Sequence, residues 1–253
     1  MHAPTGARFL AVERAAAGLL ADAPAASLSA SDTSKTGARP HAAEPDGQAT
    51  GAIVADGQRV RIRIGVLALQ GDFEAHGRAI QRAGADPVEV RTAAELNGID
   101  GLIIPGGEST TMLKLIHREG LFEPLRAYGR ERPIFGTCAG AILLAASVTN
   151  PAQESLGLMD IDVERNAYGR QLDSRIGRLK LNGMGPELEA VFIRAPIIRR
   201  AGAKTTVLAE FEGDPVLVEQ GRHLAATFHP ELTPNPAIHR LFVDKIERGR
   251  SHD

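Results

Sequence analysis

The stretch Pro133-Ile-Phe-Gly-Thr-Cys-Ala-Gly-Ala-Ile-Leu-Leu-Ala-Ala146 decides how the chain is read. Pro133 to Phe135 is a short apolar run, the mark of a buried strand, and it leads directly into Gly136-Thr-Cys138-Ala-Gly140; Ala139 to Ala146 then reads as helix. A strand turning sharply into a helix, with glycines on both sides of a cysteine, has the geometry of a nucleophile elbow. The turn holds the nucleophile in a strained backbone conformation, and the glycines let neighbouring backbone close in. The helix start directs unpaired N–H groups and a positive dipole end at the sulfur. That favours the nucleophilic anion of the thiol, and the same amides can receive a developing oxyanion. Taken alone, a buried structural cysteine between two packing glycines explains the pentapeptide equally well.

Working outward, the same strand-then-helix alternation repeats. Ile62 to Leu69 reads as a buried strand ended by Gln70, Gly71 and Asp72, and Phe73 to Ala83 follows as an amphipathic helix stopped by Gly84. Pro87 to Val90 and Gly101 to Ile104 are further strands, the latter closed by Pro105, Gly106 and Gly107. Thr110 to Arg118 spaces Met112, Leu113, Leu115 and Ile116 as on a helix, with Gly120 as its stop. After Ala146 the texture becomes β-rich, with runs at Leu158 to Val163, Ile176 to Leu181, Val191 to Ile193, Val207 to Phe211, Val216 to Glu219 and Leu224 to Phe228. A closing helix over Ala237 to Arg248 carries Leu241, Phe242 and Ile246 on its inner face. This pattern predicts an α/β fold: one domain over residues 60–253, with a mostly parallel twisted sheet flanked by helices and an added antiparallel part.

Residues 1–59 are rich in Ala, Ser, Gly, Pro and Asp, with Phe9 as their single aromatic. They cannot bury enough to fold alone and read as a disordered N-terminal extension or the product of a mis-assigned start. Glu13 and Asp22 interrupt any targeting pattern. Across 253 residues, 29 Lys and Arg face 31 Asp and Glu, a net charge of −2. So even a balance gives no basic face for nucleic acid, and the longest apolar run is far too short for a membrane crossing. A single cysteine, Cys138, excludes an intrachain disulfide and fits a reducing, cytoplasmic setting. One cysteine with scattered histidines supplies no metal-ligand cluster, so neither a metal nor another cofactor is expected.

A thiol nucleophile needs a proton shuttle. Of the eight histidines, His229 directly follows the apolar run ending at Phe228, and ends of parallel strands face the crevice in which open α/β sheets bind ligands. Glu231 comes two positions later; in extended backbone the two side chains share a side, so the carboxylate can orient the imidazole. By itself His-Pro-Glu is more often a surface turn. His76 and His117 read as ordinary helix residues, while His223 and His239 lack a nearby acidic orienter. A third element, Pro105-Gly-Gly-Glu-Ser-Thr110, also links a strand to a helix. Its glycines permit a backbone flip that presents an N–H to an oxyanion; Glu108 disfavours a phosphate cradle.

Together these residues resemble the class I glutamine amidotransferases, and more narrowly the glutaminase subunits of pyridoxal 5′-phosphate synthase. The resemblance runs from Ile64 to about Ile246. It is carried by Ile64-Gly-Val-Leu-Ala-Leu-Gln-Gly71, Pro105-Gly-Gly-Glu-Ser-Thr-Thr111, Gly136-Thr-Cys-Ala-Gly140, Glu164-Arg-Asn-Ala-Tyr-Gly-Arg-Gln171, Phe192-Ile-Arg-Ala-Pro196 and Phe228-His-Pro-Glu-Leu-Thr233. The elbow and His-x-Glu belong to the whole class, the Arg165 and Arg194 blocks to the vitamin B6 branch. The resemblance implies a flavodoxin-like three-layer fold. It further implies a Cys138, His229 and Glu231 triad that hydrolyses L-glutamine through a thioester. Gly107, Glu108, Ser109, Arg165, Ile193 and Arg194 would contact glutamine, and Gly106, Gly107, Ala139 and Gln70 would form the oxyanion region. Arginine suits the substrate's carboxylate and Glu108 its ammonium. The implied partner is a separate (β/α)₈-barrel synthase subunit that receives the ammonia within a large hetero-oligomer, with the oxyanion loop as the element it switches.

Two rivals keep part of this reading. A glutaminase serving another acceptor, such as the imidazole glycerol phosphate or anthranilate pathways, retains the triad but gives no reason for Arg-Asn-Ala-Tyr-Gly-Arg-Gln. A cysteine-elbow chaperone or peptidase explains Cys138 and leaves Glu231 and the arginines without purpose; a binding module that has lost catalysis would not need an intact triad.

Overall fold

Short apolar runs, each ended by glycine, proline or aspartate, build one large sheet. A computed structural model describes residues 61–166, 174–182 and 184–250. The extension expected over residues 1–59, and Ala167 to Gln171 of the Arg165 block, lie outside the described residues. In chain order the elements are β1 (Arg63–Leu67), α1 (Phe73–Arg82), β2 (Asp86–Val90), β3 (Gly101–Ile104), α2 (Ser109–Arg118), α3 (Phe122–Glu131), β4 (Ile134–Thr137), α4 (Ala139–Leu144), β5 (Ala145–Thr149), β6 (Met159–Glu164), β7 (Ser174–Leu181), β8 (Met184–Ile193), β9 (Ile197–Ala201), β10 (Thr206–Phe211), β11 (Asp214–Gln220), β12 (His223–Ala226) and α5 (Ala237–Arg250).

The sheet runs β10-β11-β12-β4-β3-β1-β2. The five strands from β12 to β2 are parallel, and β11 and β10 add the antiparallel edge. With β12 in fifth place, the parallel part has the 2-1-3-4-5 order of flavodoxin-like folds. The remaining strands leave this sheet, β5, β6 and β9 forming a three-stranded sheet and β7 and β8 a hairpin. The antiparallel part is therefore distributed over three sheets.

Alternate residues of the central strands feed two cores, as a sheet covered on both faces requires. Ile64, Ile103, Phe135 and Leu224 pack on one side with Ile80 of α1 and Ile238, Phe242 and Ile246 of α5. Leu102, Ile104, Ile134 and Ala225 pack on the other with Met112 and Ile116 of α2, Leu125 of α3 and the buried face of α4. Burying one such Phe or Leu side chain contributes roughly 1.5–3 kcal/mol.

Local chemistry sets the helix ends. Asp72 caps α1 by accepting from the Ala75 N–H, and Gly84, at φ 85°, turns the chain away after it. Three departures from the sequence reading have physical causes. The helix expected to reach Ala146 ends at Leu144, because Ala145 is extended (φ −61°, ψ 150°) and opens β5, where Val148 is buried beside β6. Helix α3 is not among the elements expected from the sequence. Pro124 lies in the first turn, where a missing N–H costs nothing, and Gly129 is where the Leu158 side chain crowds in: an added Cβ would come within 2.3 Å of it. Strand β8 begins at Met184, well before Val191, because pairing with β7 outweighs the weak pattern of Pro186, Glu187 and Glu189.

Candidate active site

Parallel pairing of β4 with β12 is what assembles the site. Gly136 lies opposite Ala225 and Thr137 opposite Ala226, so Cys138 and the segment leading to His229 leave the sheet side by side at its carboxyl edge. The Cys138 N–H donates to the Ala226 carbonyl at 2.8 Å, fastening the elbow to β12. Cys138 has φ 48° and ψ −102°, a conformation costly for a residue with a side chain, and it is the N-cap of α4. Room for this turn comes from the glycines. A Cβ on Gly136 would lie 2.5 Å from the Gly140 carbonyl, and one on Gly140 would lie 2.0 Å from the Ile104 carbonyl. The sulfur is buried, stands 4.0 Å from the Ile193 carbonyl oxygen, and has the first amides of α4 beside it, with that of Ala139 next in the chain.

His229 reaches the site by a route other than the expected one. Strand β12 stops at Ala226, and Pro230–Leu232 is a 3-10 turn, so His229 and Glu231 meet through a turn and not across extended backbone. The His229 N–H is anchored to the Val191 carbonyl of β8 at 2.8 Å. The Nδ1 of His229 lies 2.7 Å from Glu231 Oε1, and Cys138 is near enough to the ring to act on its protonation. With Nδ1 engaged by the carboxylate, Nε2 is the nitrogen left for sulfur. Burial by itself would push the imidazole's pKa down, but Glu231 and Cys138 outweigh it and hold the ring well above its ordinary value. Burial likewise penalises the Glu231 carboxylate, yet His76, His229 and its hydrogen bonds bring it down to about 2. The three residues expected as nucleophile, base and orienter are thus brought together.

Two loops at the β1 and β3 ends roof this triad, at the crevice where strand order reverses. The Gln70 side-chain N–H donates to the Glu108 carbonyl at 2.6 Å. Gly71 has φ 84° and no Cβ, and one there would overlap the Gly106 carbonyl at 2.0 Å. Gly106 sits directly over the chemistry. Gly107, at φ 142°, places its Cα where a side chain would meet Gln70. Gln70 therefore braces the Gly106–Glu108 loop, where the oxyanion region is expected.

The residues expected to hold substrate are arranged around the start of α2. Glu108 caps that helix, accepting from the Thr110 and Thr111 N–H groups at 3.0 and 2.7 Å and from the Thr111 hydroxyl at 2.7 Å. Partial burial opposes its charge, but these donors draw its pKa down to about 2. Arg165 donates to the Thr110 hydroxyl at 2.7 Å and lies 3.5 Å from Glu108. The cation and anion assigned to opposite ends of glutamine thus face one another. Ser109 donates to Gln153 at 3.0 Å, a neighbour the sequence reading missed. Ile193 turns its carbonyl to the sulfur, and Arg194, at φ 45°, follows it at the end of β8.

Two histidines read as ordinary prove otherwise. His76 lies 3.4 Å from Glu231 and His239 3.0 Å from His76, all three buried. The helical spacing of Ala75, His76, Ala79 and Ile80 on the buried face of α1 was the available signal. Among the described residues no group of three or more His, Cys, Asp or Glu is placed to hold a metal ion, and no helix is long and apolar enough to cross a membrane.

Comparison with known proteins gives the family and the fold. The model of the SNO glutamine amidotransferase family matches residues 66–248. A pyridoxal 5′-phosphate synthase subunit PdxT from Solibacter usitatus is 62% identical over 190 residues, covering 73% of this chain and 99% of the relative. The PdxT of Brevibacillus brevis is 48% identical over 191 residues, covering 75% and 100%. A solved glutamine amidotransferase superposes with TM-score 0.68 at 47% identity, over 72% of this chain and 98% of that one. A putative GMP synthase protein from Thermoplasma acidophilum, at TM-score 0.58 and 18% identity over 77% and 98% of the two chains, shares the fold. The chain belongs to the SNO glutamine amidotransferase family.

Proposed function

We propose that the chain hydrolyses L-glutamine to L-glutamate and ammonia with Cys138, His229 and Glu231, and passes the ammonia to a synthase subunit that makes pyridoxal 5′-phosphate. The observation that carries this is that His229, hydrogen-bonded to Glu231, and Cys138 both pack against Gly106 beyond the ends of the adjacent parallel strands β12 and β4. Sulfur attacks the carboxamide carbon while its proton resides on His229. The carbonyl electron pair moves to oxygen, which the Ala139 N–H and the Gly106–Gly107 loop are placed to receive. The intermediate collapses, the C–N bond breaks, and His229 gives its proton to nitrogen, which leaves as ammonia. Water then loses a proton to His229 and adds to the thioester; sulfur departs, regains the proton, and glutamate is freed. Glu231 keeps Nδ1 protonated throughout, so that Nε2 is the working nitrogen.

In this reading Glu108, Ser109, Arg165, Ile193 and Arg194 hold the amino-acid end of glutamine, and Gln70 and Gly107 shape the loop. The partner is a (β/α)₈-barrel synthase subunit in a hetero-oligomer; the names of the PdxT relatives support a synthase partner. It switches the isolated, nearly idle chain on through the Gly106–Gly107 peptide, since glycines reorient at little cost. The glutaminase domain spans residues 60–253, and the lone thiol suits the cytoplasm.

Glutamate release is measured for the chain alone and mixed with the synthase subunit. We expect turnover chiefly in the mixture, and its loss in Cys138→Ala and His229→Asn with folding and partner binding retained. Near-normal turnover by either variant removes that residue's role, and equal rates with and without the partner remove the switch.

A further inference from the structure

His76 takes no part in the chemistry above, yet it sits fully buried directly behind it, on the inner face of α1. Its Nε2 is 3.4 Å from Glu231 Oε2 and 3.1 Å from the Thr137 hydroxyl, and its Nδ1 is 3.0 Å from His239 Nε2. Oε2 is the carboxylate oxygen not bonded to His229; it is buried without a full hydrogen bond, so the His76 N–H at 3.4 Å faces an unsatisfied acceptor. Thr137 is the residue before the nucleophile. One side chain therefore touches both the orienter and the strand end that carries the cysteine.

Hydrogen-bond accounting fixes the tautomers. With the proton on Nε2, His76 donates toward two acceptors, Glu231 and Thr137, and its Nδ1 accepts from the His239 Nε2–H. His239 Nδ1 is then a bare lone pair, and that atom is indeed buried without a partner. The reverse arrangement sets a lone pair of His76 against a carboxylate oxygen and buries an unpaired N–H on His239, the costlier orphan. The charged groups facing this pair are Glu231 and His229 from the turn after β12, Asp72 from the start of α1, and Arg82 beside His239. Burial outweighs the pull of Glu231 and Asp72 on His76, and brings His239 to about 3, so both rings are neutral donors and not rival cations.

We propose that His76 is a positioning residue, held in one tautomer by His239, which fixes the Glu231 carboxylate so that its other oxygen stays aligned on His229. This inference rests on the glutaminase reading of the triad. It adds a second layer to the orienter: a neutral N–H that steadies the carboxylate without drawing off its charge.

Glutamine turnover, its pH profile and melting temperature are measured for the full chain with the synthase subunit present, in wild type, His76→Leu, His76→Gln and His76→Asn. Glutamine places an amide N–H near the Nε2 position and asparagine near Nδ1. We expect His76→Leu to lower kcat about tenfold with KM unchanged, far less than the ~10⁴ loss on removing a triad orienter's function. His76→Gln should recover most of it and His76→Asn should not. In a Glu231→Gln background the leucine substitution should cost nothing further, because its effect passes through that carboxylate. Should leucine prevent folding, the Gln and Asn pair reads the same quantity. Equal kcat in all variants, or a loss that glutamine does not restore and that persists in the Glu231→Gln background, overturns the proposal. An inert wild-type complex, by contrast, overturns the glutaminase reading itself.

Discussion

Gly106 has no side chain because there is nowhere to put one. A Cβ there would stand 2.4 Å from His229 Cε1, 3.0 Å from His229 Nδ1 and 3.3 Å from Cys138 Cβ. Real Cβ atoms do not approach so closely, so Gly106→Ala has to displace the imidazole or the loop above it. The expected result is loss of at least ~10²-fold in turnover, on the order expected when catalytic groups are displaced by about 1 Å, while melting temperature stays within a few degrees; normal turnover in the alanine variant would contradict the placement. At this scale much of the site could be read from the sequence. Cys138, His229, Glu231 and Gly106 each follow a strand and each carries its own chemical signal. Helical spacing marks His76 as buried, but the roles of His76 and His239 depend on α1 and α5 packing on the same face of the sheet, 163 residues apart in the chain. Nor was it legible that Glu108 would serve as the cap of α2, because the same residue type suits a substrate ammonium.

At the level of elements, the junction of β4 with α4 works because α4 lies almost in contact with β3. Gly140 is the point of closest approach, its missing Cβ replaced by the Ile104 carbonyl at 2.0 Å. Substitution by alanine must push α4 off the strand, and overpacking of this kind costs roughly 1–3 kcal/mol. A lowered urea midpoint for Gly140→Ala, accompanied by reduced turnover as the elbow shifts, is the expected outcome; an unchanged midpoint would show that the helix can slide freely. Periodicity gave β1, α1, β3, α2 and α5 nearly to the residue, since each has a strong apolar pattern and a glycine or aspartate at its boundary. It missed β5 because Ala145 and Ala146 continue a good helix-forming run, and only pairing with β6 makes them extended. It missed the length of β8 because Asn182-Gly183, a strong hairpin signal, was passed over.

Considering the whole molecule, the buried histidines make stability depend on pH with a definite sign. His76, His223 and His239 are held below the ordinary value of 6.5, His223 at about 4 and His239 at about 3, with burial as the first cause in each. The unfolded chain therefore takes up protons on these rings as pH falls below 6.5, while the folded chain does not. Their contribution is fully present above 6.5 and is lost progressively toward pH 4, by up to ~1.4 kcal/mol per pH unit for each ring. His229 has the opposite sign, its raised pKa giving stability below 6.5 that fades as pH rises through the folded value. Below 6.5 His229 is protonated in both states and adds no slope; between 6.5 and 7 it opposes the other rings, one group against three. Urea denaturation should give a lower unfolding free energy near pH 5 than near pH 7, and an equal or greater value at the lower pH would refute the assignment.

Strand β12 is laid down late in synthesis but lies between β11 and β4, well inside the sheet. A growing polypeptide that has not yet delivered residues 223–231 holds its cysteine without a base and leaves a gap in its own scaffold. On the proposed triad, a copy truncated before these residues has no means of hydrolysing glutamine.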